Sequence, residues 1–95
     1  RLVERVLPDG IDLWPNYPNP FSKVTSFTFK LGEDKHGRLS VYDAMGREVA
    51  VVTDADYQRG VHSAVLRGGD LPNGLYFYRL TTDDGVIQRK MLLMR

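Results

Sequence analysis

The chain contains no cysteine. That removes a disulfide framework, a thiol nucleophile and a cysteine-ligated zinc site, and it leaves packing alone to stabilise the fold. An excess of charge is also missing: 13 Lys and Arg oppose 12 Asp and Glu, for a net charge of +1, and the two signs are interspersed. Phosphate affinity needs clustered basic residues in excess, so no nucleic-acid partner is expected. No apolar run approaches the roughly 20 residues of a membrane span, and the first residues lack the basic start and apolar core of a signal peptide. The chain therefore reads as a piece from the end of a larger protein. Histidine is scarce: His36 and His62 lie in separate segments without metal-ligand spacing. His62 shares a strand face with Ala64 and Leu66, where a satisfied, partly buried imidazole is expected. Glycine-rich phosphate loops and Gly-x-Ser-x-Gly elbows are absent, and Glu33-Asp34 and Asp83-Asp84 fall in turns, where carboxylates are solvated. No catalytic residue, metal ligand or cofactor site is expected.

What the chain does have is period-two alternation. At 95 residues and 42% hydrophobic it can bury one two-layer core. Residues 1–10 are mixed in character and read as linker or a first edge segment; residues 11–95 read as the folded domain. A short strand over 11–14 is stopped by Pro15, and Tyr17-Pro18-Asn19-Pro20-Phe21 is predicted to be a structured corner, since its prolines remove amide donors. Asn16 and Asn19 are expected to cap the backbone of that corner. The clearest half-buried strand is 24–31, with Thr25, Phe27, Phe29 and Leu31 on one face. Residues 32–37 read as a turn, 38–43 as a strand with Leu39 and Val41 inward, and 47–52 as its hairpin partner across Gly46. Residues 54–59 read as a loop with room for one helical turn, and 60–66 as a strand. Turns at Gly68-Gly69-Asp70 and Leu71-Pro72-Asn73-Gly74 then launch a last hairpin. About seven antiparallel strands so spaced, with no helix, predict an all-β fold, an immunoglobulin-like β-sandwich.

The last hairpin turns at Asp83-Asp84-Gly85, with Tyr76, Tyr78 and Leu80 inward and Leu75, Phe77 and Arg79 outward. Its second strand is apolar on both faces at Met91-Leu92-Leu93-Met94. One face serves the core through Ile87, Met91 and Leu93; the other would carry Leu92 and Met94, flanked by the charges of Lys90 and Arg95. An edge strand with unpaired amides and carbonyls can accept a partner's strand, so Lys90, Leu92, Met94 and Arg95 are the candidate recognition residues.

Read in order, Asn16-Tyr17-Pro18-Asn19-Pro20-Phe21, the strand over 25–31, Val41-Tyr42-Asp43-Ala44-Met45-Gly46-Arg47, Gly60-Val61-His62, Asn73-Gly74-Leu75-Tyr76-Phe77-Tyr78-Arg79-Leu80 and Lys90-Met91-Leu92-Leu93 resemble the type A C-terminal sorting domain of the bacterial type IX secretion system. The resemblance covers residues 11–95 and makes Asn19, Pro20, Phe21, Asn73 and Gly74 part of the signature. Leu66 stands where that family often has a tryptophan, a substitution a core position tolerates. The resemblance implies a non-catalytic immunoglobulin-like domain at the end of an exported cargo protein. It implies passage through the periplasm, recognition by the outer-membrane translocon, and then the cell surface or release. Cleavage by a cell-surface sortase-like protease is common in that family. The competing reading is an accessory carbohydrate-binding or spacer module of a secreted enzyme, for which exposed coplanar aromatics are required. Trp14 and Tyr57 are the candidates.

Overall fold

The computed structural model describes residues 10–95; the segment expected to be linker or first edge strand lies outside the described residues apart from Gly10. Strand β1 (Asp12–Leu13) pairs with β2 (Val24–Leu31). After β3 (Lys35–Asp43) and β4 (Glu48–Tyr57), β5 (Gly60–Arg67) returns to the far side of β2. One sheet therefore has the order β1-β2-β5. The other has the order β4-β3-β6-β7, where β6 (Gly74–Thr82) and β7 (Gly85–Leu93) are the last hairpin. All strand pairings are antiparallel, and the two sheets pack face to face as the alternation predicted.

Alternation decides which side chains meet between the sheets. From β2, Phe27, Phe29 and Leu31 are buried, and they face Leu39 and Val41 of β3, Tyr76, Tyr78 and Leu80 of β6, and Met91 and Leu93 of β7. Phe27 and Tyr78 meet across the sandwich with ring centroids 4.7 Å apart. Each such side chain contributes about 1.5–3 kcal/mol by leaving water, so the core is the main stabilising element of a domain without covalent cross-links. Leu66 is buried with them, as expected of a core substitution. The two expected hairpin glycines take backbone angles that disfavour a Cβ: φ is 85° at Gly46 and 152° at Gly85.

Two sequence expectations are corrected. Of residues 54–59 only 58–59 form the loop: β4 continues to Tyr57, and β3 already begins at Lys35, inside the segment expected to be a turn. The physical reason is cross-strand charge. Asp54 lies opposite Arg38 and Asp56 opposite His36, so two residues of a type that forms strands poorly sit on the solvent face facing basic side chains. Thr53, Ala55 and Tyr57 alternate with them on the half-buried face, and Tyr57 packs edge-on against Phe29 at 5.3 Å.

Candidate functional site: the covered end of the terminal strand

The hairpin register determines which backbone groups of β7 are available. Thr82 and Gly85 close a two-residue turn and pair with each other, so alternate residues Ile87, Arg89, Met91 and Leu93 bond to β6. Val86, Gln88, Lys90, Leu92 and Met94 then turn their amides and carbonyls to the open edge. At the C-terminal end that edge is already occupied. The Phe21 amide donates to the Leu92 carbonyl at 3.0 Å, and the Met94 amide donates to the Phe21 carbonyl at 2.9 Å. Asn19 Oδ1 accepts from the Leu92 amide at 3.0 Å. The proline corner thus behaves as a one-residue parallel strand against β7, anchored by the buried Phe21 ring.

The corner is itself tied to the core. Asn16 Nδ2 donates to the Pro18 carbonyl at 3.3 Å and to Thr25 Oγ1 at 3.0 Å, which is the local capping expected of it. The Tyr78 hydroxyl accepts from the Asn16 amide at 2.9 Å and donates to the Trp14 carbonyl at 3.0 Å. Burial raises the Tyr78 pKa above the usual tyrosine value, with the Asn16 hydrogen bond and the Arg89 charge pulling the other way. Tyr76 reaches the rim, where its hydroxyl donates to the Pro72 carbonyl at 2.6 Å.

The last turn of chain is held from the other side. The Arg95 amide donates to Asn73 Oδ1 at 3.0 Å, and its guanidinium donates to the Leu71 carbonyl at 2.6 Å and the Gly69 carbonyl at 2.7 Å. Gly74 starts β6 opposite Leu93. Motifs far apart in the chain therefore meet at one end of the sandwich: residues 19–21 and 73–74 flank residues 90–95. The family model for the secretion system C-terminal sorting domain matches residues 16–94, which is most of the chain and includes all of these residues but Arg95. The chain belongs to that family. No curated protein and no solved structure is similar enough to count as a match. The family is one of sorting signals, the C-terminal signals of type IX secretion, rather than of catalysts.

In this sorting domain the apolar residues at the end of β7 divide by parity. Met91 and Leu93 are buried, while Met94 is 55% exposed and Leu92 is half-buried on the outer face. Leu92 sits across from the exposed Leu75, and Asn19, Pro20 and Lys90 complete a groove of about 330 Å³ around it. Lys90 is exposed. Arg95 is exposed too, and its two terminal guanidinium nitrogens donate to the 69–71 backbone. Asn19 differs from the expectation of a local cap, because it caps a strand 73 positions away and not its own loop. No local signal announces that partner.

The aromatics expected of a sugar platform do not come together. Trp14 is 38% exposed, but Tyr57 turns inward against Phe29 and against His62, at 4.7 Å from the imidazole. His62 is half-buried there, with Nε2 donating to the Gln58 carbonyl at 2.6 Å, as expected of a satisfied ring. His36 instead stands on the solvent face between Asp54 at 2.5 Å and Asp56 at 2.7 Å; the bond to Asp54 and then that to Asp56 raise its pKa. Among the described residues no three metal-ligating side chains gather at one point.

Proposed function

We propose that this domain is the export signal of a cargo protein that precedes it in the same polypeptide. The type IX outer-membrane translocon reads it in the periplasm through the outer face at the end of β7. The family match carries this reading, and the exposure of Met94 and Lys90 beside the Leu92 and Leu75 groove supports that choice of face. Lys90 supplies a charge contact, Leu92 and Met94 supply apolar ones, and Arg95 acts inside the domain by holding the 69–73 loop against the strand end. After translocation a cell-surface sortase-like protease removes the domain and the cargo stays at the surface or is released.

The test is a fusion of the whole chain to the C-terminus of a periplasmic reporter, in a bacterium that possesses the machinery. The reporter is expected outside the cell; retention in the periplasm with the domain folded sinks the proposal. A fusion carrying Lys90→Glu and Met94→Glu is expected to export poorly while melting like the parent. Normal export of that double variant removes these side chains from the recognised surface.

A further inference from the structure

Strand addition at the end of β7 is sterically taken, because the corner already satisfies the edge at Leu92 and Met94. Among the described residues the edge opens only upstream. There Val86, Gln88 and Lys90 point their amides and carbonyls outward, and among the described residues no hydrogen bond reaches them. The same stretch is basic on both faces. Lys90 lies on the outer face across from Phe77; Arg79 lies across from Gln88 and donates to its Oε1 at 3.1 and 2.9 Å. On the inner side Arg89 donates from Nε to the Leu13 carbonyl at 2.5 Å, leaving its remaining N–H groups at the mouth of a trough. That trough is about 380 Å³ and is lined by Pro15, Phe77, Tyr78, Gln88, Arg89 and Lys90.

No carboxylate among the described residues pairs with Arg79, Arg89 or Lys90, whereas Lys35, Arg38 and Arg47 elsewhere are each paired. The carboxylates of the hairpin turn are Asp83 and Asp84, and Asp84 is held by Lys35. The other long edge strands lack this combination. β4 carries Glu48, Asp54 and Asp56 already matched to Arg38 and His36, and the outer face of β5 is apolar at Val61 and Val65. We propose that residues 86–90 of β7 take an extended acidic segment of a partner protein as an added strand. Its backbone pairs with Gln88 and Lys90, and its carboxylates on the two faces meet Lys90 on one side and Arg89 on the other, while Arg79 stays inside the sheet over the Tyr42 ring. The proposal rests on the sorting-signal reading in naming that partner as part of the export machinery. An open ladder of backbone groups favours a peptide over an anionic lipid surface, which offers no matching strand.

The experiment uses the whole chain, isotope-labelled, and a capped heptapeptide Thr-Glu-Glu-Thr-Glu-Glu-Thr, which puts carboxylates on both faces of an added strand, with the same peptide carrying Lys in place of Glu as control. Addition of the acidic peptide is expected to shift the Gln88 and Lys90 amide resonances, and fluorescence anisotropy is expected to report binding that the Lys peptide lacks. Lys90→Glu is expected to weaken binding about tenfold or more. Gln88→Pro removes an outward amide without breaking a bond to β6, so it is expected to abolish binding in a domain that still melts cooperatively. Equal binding of the two peptides overturns the proposal, as do shifts confined to β4 or β5, an unchanged affinity for Lys90→Glu, or binding to phosphatidylglycerol vesicles in place of the peptide. Because no translocon is present, a failure here is separate from a failure of the reporter fusion to leave the periplasm.

Discussion

Replacing Tyr78 by phenylalanine removes one oxygen from the point where the proline corner meets the core. The ring stays against Phe27, so the packing loss is small, but two backbone groups lose their partner: the Asn16 amide and the Trp14 carbonyl. Asn16 is 3% exposed, so water cannot replace the hydroxyl at its amide, and its own Oδ1 already lacks a partner. A buried orphaned donor costs about 1–3 kcal/mol; the Trp14 carbonyl, beside a side chain 38% exposed, costs less. Together the loss is about 2–3 kcal/mol from a domain whose total is on the order of 5–15 kcal/mol. For a chain of this size that lowers Tm by roughly 10–20 °C. Thermal and urea melts of Tyr78→Phe measure it, with Tyr76→Phe as the control. The Tyr76 hydroxyl bonds only the carbonyl of the exposed Pro72, which water can reach, so its removal costs under about 1 kcal/mol. A Tyr78→Phe domain within about 0.5 kcal/mol of the parent, or no worse than Tyr76→Phe, refutes the idea that this hydroxyl ties the corner down. The sign of the alkaline response gives a second check. The folded pKa of Tyr78 is raised, so its contribution is present below the unfolded value of about 10 and is lost as pH rises through the folded value. Tyr78→Phe should lack that part of the loss.

Asn19→Ala removes the cap on the Leu92 amide at a solvent-accessible edge; a cost of about 1 kcal/mol is expected, with faster hydrogen exchange confined to Leu92 and Met94. Exchange unchanged at those two amides contradicts the cap. Imidazole titration by NMR is expected to give His36 a midpoint above the ordinary value of about 6.5, because Asp54 first and Asp56 second favour the charged ring. Its contribution to stability is therefore full below about 6.5 and fades as pH rises through the raised value. Asp54→Asn should bring the midpoint down, and a midpoint that stays put argues against the bond. Gly68→Ala puts a methyl group 3.0 Å from Arg95 Nη2, so the guanidinium is expected to swing out and free the 69–71 carbonyls. Cooperative unfolding should persist, with greater mobility measured by NMR relaxation in residues 69–73 and 95.

The inward faces of β2, β3 and β6 were legible residue by residue, because a half-buried strand has a period of two and each of these strands repeats it over several residues. Phe27, Phe29, Leu39, Val41, Tyr76 and Tyr78 are all buried where the alternation puts them. The C-terminal half of β4 was not legible. Its Asp54 and Asp56 look like loop residues until Arg38 and His36 are aligned opposite them, and that register depends on a neighbouring strand. The recognition residues were legible only as a list of names. Alternation separates Leu92 and Met94 from Met91 and Leu93, but says nothing about what lies beside them.

On its own, then, the amino-acid pattern determined the strand count, the layer each apolar side chain serves and the order of motifs that marks a sorting domain. These are properties of neighbours in sequence, set by sterics and burial. Only the tertiary structure decided which part of the terminal strand is covered. Asn19 and Phe21 close its end and Arg95 turns back onto residues 69–71, while among the described residues nothing pairs with the edge at Gln88 and Lys90. Backbone hydrogen-bonding groups are the same in every residue, so their pairing is set by where distant segments meet in space.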